Sequence, residues 1–180
     1  MSYARLRSEL LATRDRREAL LGPILAEATT TIVLASTAVP GPRKRPPGID
    51  GLFWWGLLRL TGHIDTCRLL LSEADRLGPY AVLSVDTEPH LAKRACLAIE
   101  NGHPAARLLD LDVYATHAAR VGRIDVGEPP RPCLLCKQPA VDCIRLNRHP
   151  TEALVERVES LLEALRYQRV IDLSRQARAG

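Results

Sequence analysis

The sequence predicts an α+β fold, in which a mixed sheet of about four or five strands packs with helices and a C-terminal helix ends the chain. The runs at 29–38 and 80–85 are apolar and rich in β-branched residues, as in buried strands. Residues 49–77 carry apolar side chains at alternating spacings of four and three, which is typical of a helix with one buried face. Between 107 and 114, apolar and acidic residues alternate, as in a strand with one face in the core.

Length and composition favour one domain. The 180 residues can bury a substantial core, and we treat 1–180 as a single unit. Within it, 1–28 is an N-terminal helical segment, and 127–180 holds a Cys-containing segment and the C-terminal helix. The net charge of +4 is mild, so it fits an anionic small molecule or an acidic partner better than nucleic acid. Aromatic residues are too scarce for base stacking.

The N-terminal stretch and the length of the apolar runs indicate the cellular compartment. The N-terminus lacks the apolar region of a signal peptide, and no apolar run approaches the roughly 20 residues of a membrane span. We therefore expect a cytoplasmic protein with five reduced thiols and no membrane contact.

The first predicted helix, 3–27, and the loop after the first strand both carry clustered cations. Arg14 and Arg17 share a helix face, where they either bind a polyanion or face solvent. The Pro/Gly-rich stretch 39–48 carries Lys44 between two arginines. It lacks the P-loop pattern. Its cations therefore either neutralise phosphates from an ordinary loop or are simply exposed.

The middle of the chain is predicted to alternate helix and strand. The helix at 49–77 would bury Cys67 as a small core residue and end at Gly78-Pro79. The strand at 80–85 would lead into a helix at about 90–101, on which Lys93 and Glu100 are the notable charges. The last helix, from Thr151 to about Arg169, would bury one apolar stripe formed by Leu154, Val155, Val158, Leu161, Leu162 and Leu165.

Two carboxylates at alternate positions mark the strand at 107–114. Asp110 and Asp112 should point to one face, with their Cα atoms roughly 7 Å apart. Acids held this close need a compensating cation, and hard oxygen ligands suit one or two Mg²⁺ ions. Such ions neutralise phosphate charge and align an attacking oxygen. A further strand at 120–126 would bring Asp125 to the same face. The alternative is that these acids only face solvent.

Three cysteines and a histidine follow in a compact pattern. Cys133, Cys136, Cys143 and His149 are spaced C-x₂-C-x₆-C-x₅-H, which supplies the donor set of a structural Zn²⁺ site. Alternatively, the thiols line one buried helix face, or one of them has a redox or nucleophilic role. Pro139 disfavours one continuous helix. We expect a C-x₂-C turn and then a short helix that carries Cys143.

These residues also carry a family resemblance. The segments HPAARLLDLDV and PPRPCLLCKQPAVDCIRLNRH resemble the signature of the citrate lyase holo-acyl-carrier-protein synthases, which runs HP-x-GRL-x-D-x-DV and then R-x-CL-x-C with a further Cys, an Arg and a His. The match is specific over about a quarter of the chain. LLATRDRREALL and VPGPRK are similar to the family's Arg-rich N-terminal helix and its PGP-x-K loop. Ala106 stands where the family has Gly, and Leu109 where it has an aromatic residue.

The resemblance implies a transferase with a nucleotidyltransferase-like fold. Its donor would be triphosphoribosyl-dephospho-CoA, its acceptor a serine of the apo-citrate lyase acyl carrier subunit, and its by-product pyrophosphate. Asp110 and Asp112 would hold Mg²⁺, with Asp125 as a third ligand or base. Arg107, Lys44 and Arg14 would balance the triphosphate. If the family Gly lets phosphate approach the backbone, Ala106 would weaken binding or alter the choice of substrate.

Three alternatives stay open at this point. The same chemistry could act on a malonate decarboxylase carrier, which the residues alone do not distinguish. The chain could instead be a non-enzymatic, zinc-stabilised module that binds an acidic protein or RNA. Ala106 also keeps open a degenerate homologue with a scaffolding role.

Overall fold

The computed structural model describes residues 3–179, with side chains from 4 to 166, and is built on a five-stranded sheet. The strand order is β2-β3-β1-β4-β5. The predicted α+β class is confirmed. The strands are Thr31–Thr37 (β1), Cys67–Asp75 (β2), Gly78–Val85 (β3), Leu109–Tyr114 (β4) and Arg120–Val121 (β5).

Every pair of neighbouring strands is antiparallel, so the sheet is not mixed as predicted. The reason lies in the strand order. Strands β1 and β2 run parallel to each other, but β3 lies between them and is antiparallel to both. In the same way β1 separates β3 from β4, which run parallel to each other.

Five α-helices and three short 3₁₀ segments complete the described chain. The 3₁₀ segments are Pro104–Leu108, Thr116–Ala118 and Ile124–Val126. The α-helices are Tyr3–Ala26 (α1), Ile49–His63 (α2), Pro89–Asn101 (α3), Ala140–Arg145 (α4) and Thr151–Ala179 (α5). None of the helices in this part of the chain combines the length and apolar character needed to cross a membrane.

The single helix predicted at 49–77 is wrong. The α2 helix ends at His63, and Cys67–Asp75 forms edge strand β2, which pairs with β3. Cys67 is therefore a half-buried strand residue. The leucines of β2 favour a helix locally, but pairing with β3 overrides that preference. Gly78 makes the hairpin possible, because it adopts φ +115° and a Cβ there would lie 2.6 Å from Thr37 Oγ1.

The two faces of the sheet are covered differently. On one face, alternate residues of β1, β3 and β4 pack with α2, α3 and α5 into the main core. On the other face, α1 packs through Leu21 and Ile24 onto Ile32, Tyr80 and Val82. The predicted stripe of the last helix is confirmed, since Val158, Leu161, Leu162 and Leu165 are buried and Leu154 and Val155 are partly so. This helix continues beyond Arg169 to Ala179.

Candidate active site and cysteine cluster

Asp110 and Asp112 lie side by side on the face of β4 that α1 covers. Their direct neighbours on β1 are Ser36 and Leu34, and Leu34 packs in the apolar cluster beneath α1. The intervening residues of β4 are buried in the main core. The predicted orientation of the two carboxylates is thus confirmed, and their role stays a prediction.

Each carboxylate is paired with an arginine. Arg131 Nη2 donates to Asp110 Oδ1 at 3.1 Å, and Arg120 Nη2 donates to Asp112 Oδ1 at 2.5 Å. Nevertheless, burial and the negative charge of Asp112 raise the pKa of Asp110, in spite of Arg131. A further cation bound near the two carboxylates would favour the ionised form of Asp110.

Two buried charges on α3 hold the backbone between the aspartates. Lys93 Nζ donates to Leu111 O at 2.9 Å, and Leu111 N–H donates to Glu100 Oε1 at 3.0 Å. Because β5 pairs only with Val113 and Tyr114, these two side chains satisfy the strand edge that β5 does not reach. Their spacing of seven residues puts both on the buried face of α3, which is the signal that could have identified them.

Glu100 is also the centre of an ion-pair network. It is 1 % exposed, accepts a hydrogen bond from Arg123 through Oε2 and forms an ion pair with Arg131, whose Nη2 lies 2.9 Å from Oε1. Arg131 also donates through Nη1 to Leu109 O at 2.9 Å. Arg131 thus links Asp110, Glu100 and the backbone of β4. Sequence reasoning assigned it no role, although it is the Arg of the RPCLLC motif.

A cavity of about 720 Å³ lies beside this network. Its walls come from the N-terminal half of α1, the loop at 38–44 and the segment 131–154. Of the described residues that line it, none is an Asp or Glu, whereas five are basic. These five are Arg7, Arg14, Lys44, Arg107 and Arg131.

The three residues predicted to bind the triphosphate, Arg14, Lys44 and Arg107, therefore line one cavity, although they come from separate elements. Arg107 Nη2 donates to the carbonyl oxygens of Pro132 and Cys133, both at 2.7 Å. Lys44 Nζ donates to Val39 O at 2.7 Å. Burial lowers the pKa of Lys44, and burial followed by the charge of Arg157 lowers the pKa of Arg107. An anionic ligand would favour the charged forms of Lys44 and Arg107 and so oppose both of these pKa shifts.

Asp125 and Arg17 take other positions. Strand β5 ends at Val121, and Asp125 lies in a 3₁₀ turn where its exposed carboxylate accepts the Gly122 N–H at 2.7 Å. The predicted strand at 120–126 begins at Arg120 as expected but ends after two residues, so the strand geometry that was expected to align Asp125 with the other two acids is absent. Arg17 pairs with Asp75 at 2.6 Å and stacks on Tyr80, so it holds α1 on the sheet.

The four predicted zinc ligands converge. One ligand atom each from Cys133, Cys136, Cys143 and His149 lie within 4.8 Å of one another. Cys143 is on α4, which begins after Pro139, so the predicted turn and short helix are confirmed. One continuous helix through the thiols is excluded.

The thiols of this cluster differ in acidity. Burial raises the pKa of Cys133, but the N–H groups of Leu135 and Cys136 and the neighbouring thiols outweigh burial and hold it below its usual value. Burial and the hydrogen bonds with Cys136 and Cys133 raise the pKa of Cys143 to about 11. Of these two, Cys133 is therefore the first to become a thiolate.

Ala106 occupies the position where the resembled family has Gly. It lies in the 3₁₀ segment before β4, is 0 % exposed and packs in the main core. The methyl group therefore fills core space.

Known proteins resemble this chain over the whole region that contains the site residues described above. The family model described as apo-citrate lyase phosphoribosyl-dephospho-CoA transferase matches residues 6–165, which include both aspartates, the cavity and the cysteine cluster. A protein of that name from Escherichia coli O1:K1 / APEC is 32% identical over 158 residues, covering 86% of each chain. One from Shigella boydii serotype 18 has the same identity and coverage. The chain belongs to the apo-citrate lyase phosphoribosyl-dephospho-CoA transferase family.

Proposed function

We propose that this protein transfers the phosphoribosyl-dephospho-CoA group from triphosphoribosyl-dephospho-CoA to a serine of the apo-citrate lyase acyl carrier subunit. Pyrophosphate is the second product. The observation that carries the proposal is the cavity with five basic side chains beside the Asp110–Asp112 pair. The transferred group and the citrate lyase acceptor come from the names of the relatives.

Charge complementarity supports the triphosphate donor. Its phosphates carry several negative charges, and the guanidinium and ammonium groups along the cavity would neutralise them. The remaining wall is rich in leucines, which suit the adenine and pantetheine parts of the donor. These include Leu6, Leu10, Leu77, Leu134 and Leu154.

The reaction is an in-line displacement at phosphorus. The serine Oγ attacks the ribose-linked phosphorus and forms the new P–O bond, while the P–O bond to pyrophosphate breaks and the hydroxyl proton is lost to solvent. Arg107 and Lys44 line the cavity, where they would stabilise the charge that develops on the leaving pyrophosphate. Arg131, which also lines the cavity, orients Asp110 through a hydrogen bond.

Asp110 and Asp112 fit a Mg²⁺ site. Their carboxylates share one face of β4 and are hard oxygen donors, and burial together with the negative charge of Asp112 raises the pKa of Asp110. Bound there, Mg²⁺ would neutralise phosphate charge during transfer. The position of Asp125, in a 3₁₀ turn where it accepts the Gly122 N–H, gives no support for a role in this site. We place the reaction in the cytoplasm, where the five thiols would stay reduced.

The test is a transfer assay with the purified protein, Mg²⁺, the triphosphoribosyl donor and apo acyl carrier subunit. We expect the carrier mass to rise by the prosthetic group and pyrophosphate to appear in equal amount. A carrier in which the acceptor serine is replaced by Ala is the control and should gain nothing. Modification of a malonate decarboxylase carrier alone would reassign the acceptor, and no modification of either carrier would refute the proposal.

A further inference from the structure

The cluster of Cys133, Cys136, Cys143 and His149 has the geometry of a metal site rather than that of a disulfide. The Sγ atoms of Cys136 and Cys143 are 3.5 Å apart, whereas a disulfide requires about 2.05 Å. Two thiolates on a tetrahedral Zn²⁺ with Zn–S bonds of about 2.3 Å lie about 3.8 Å apart. The observed separation is close to that value.

The histidine is a second, independent observation. His149 Nε2 is buried and has no hydrogen-bond partner among the described residues. A buried ring nitrogen without a partner costs about 1–3 kcal/mol. This cost disappears if the nitrogen binds a metal, and the ligand atoms of the three cysteines lie within 4.8 Å of the histidine's.

The backbone around the cluster holds Cys133 and Cys136 in a closed turn. Cys133 N–H donates to Gln138 O at 2.7 Å, and Pro132 and Pro139 form an antiparallel bridge that closes the loop carrying Cys136. The Leu135 N–H points at Cys133 Sγ, at 3.5 Å, as it would towards a thiolate. This loop therefore presents two sulfur atoms together before α4 adds the third.

We propose that Cys133, Cys136, Cys143 and His149 bind one structural Zn²⁺ ion. The donor set is complete with four protein ligands, so the ion has no open position for substrate and serves structure rather than Lewis-acid catalysis. It also lies in the wall of the cavity, because Cys133, Cys143 and His149 line it. The carbonyls of Pro132 and Cys133, which anchor Arg107, belong to this zinc-bound turn.

Metal analysis tests the site without any reference to transfer activity. Protein purified under reducing conditions without a polyhistidine tag should contain about one zinc ion per chain. Cys136→Ser and His149→Ala should lose most of it. Cys67→Ser, which alters a half-buried thiol outside the cluster, should retain it. Because misfolding would also cause such a loss, His149→Cys is a second variant, and it should keep zinc with a four-thiolate set.

Replacing zinc with Co²⁺ gives a spectroscopic signature. The cobalt protein should show the visible bands of tetrahedral cobalt with thiolate ligands, and these bands should shift in His149→Cys. Zinc far below one ion per chain after equilibration with the free metal, or a Cys136–Cys143 disulfide in the reduced preparation, would overturn the proposal. An active transferase that holds no zinc would refute the site alone, whereas a zinc-loaded but inactive protein would refute only the proposed function.

Discussion

The aspartate strand and the cysteine segment satisfy their polar groups in opposite ways. On β4 (Leu109–Tyr114), arginines pair with both carboxylates, and Lys93 and Glu100 complete the strand edge. In the cysteine segment, the thiols of Cys136 and Cys143 contact each other, and His149 Nε2 has no hydrogen-bond partner among the described residues. We therefore expect the first region to fold without metal and to bind Mg²⁺ only together with its substrate. In the second region, the proposed zinc ion would supply the missing partner of His149.

The largest expected effect is on activity, from Asp110→Asn. We expect transfer to fall by about 100-fold or more, since one of the two proposed Mg²⁺ ligands loses its charge. The melting temperature should not fall. The folded-state pKa of Asp110 lies above its usual value, so its ionised form costs stability at pH values above that pKa, and the neutral Asn removes the cost.

Steady-state kinetics and thermal unfolding at neutral pH measure these two effects. Asp86→Asn changes an exposed acid at the end of β3 (Gly78–Val85) and should leave both unchanged. Full activity of Asp110→Asn would remove Asp110 from the site. A large drop in its melting temperature would instead mean that the carboxylate is structural.

Glu100→Gln tests whether protein cations, rather than metal, hold the aspartate strand. The change leaves Arg123 and Arg131 without their buried counter-ion, so the free energy of unfolding should fall by about 3 kcal/mol. Urea unfolding measures it, and Glu159→Gln on the exposed side of α5 (Thr151–Ala179) is the control. Zinc content should not change. A loss of zinc in this variant would show that the two regions do not fold independently.

Neighbouring cations in one loop test the cavity where the two regions meet. Lys44 lines the cavity, whereas Arg45 pairs with Asp50 at 3.0 Å and is about half exposed. Lys44→Ala should raise the KM for the donor about tenfold, equivalent to ~1.4 kcal/mol of binding. Arg45→Ala should have little effect, because exposed ion pairs contribute about 0–1 kcal/mol. Equal effects of the two changes would contradict phosphate binding in this cavity.

Ala106→Gly has the smallest expected effect. The residue is fully buried in the 3₁₀ segment that leads into β4, so the lost methyl group and the added backbone freedom should cost about 1 kcal/mol of stability. The KM for the donor should not improve. An improved KM would mean that this methyl group obstructs the phosphates after all.

Local patterns were reliable where one buried face dictated them. The alternation of Leu109, Asp110, Leu111 and Asp112 placed both acids correctly, because successive side chains of a strand point to opposite faces. The C-x₂-C spacing and Pro139 likewise predicted the turn and short helix. The same reasoning failed for β2 (Cys67–Asp75), whose leucine-rich sequence carries a helical spacing but pairs at the sheet edge.

Charged residues far apart in the chain were harder to interpret. Arg14 and Arg17 share one helix, yet the first lines the cavity and the second binds Asp75. Asp125 was expected on a strand that ends at Val121. The role of Arg131 was not predicted, because its ion-pair partners, Glu100 and Asp110, lie on two other elements.

By itself, the sequence determined which residues could do the chemistry: an acid pair on one strand face, a set of soft metal donors and several clusters of cations. Strand geometry and ligand chemistry are local properties, so they can be read from spacing and residue type. Only the tertiary structure decided which cations meet the acids and which brace the fold. Such contacts depend on how α1 (Tyr3–Ala26), the loop at 38–44 and the cysteine segment dock at one end of the sheet. That docking combines burial of apolar faces distant in sequence with contacts of single charged residues, such as the pairing of Arg17 with Asp75.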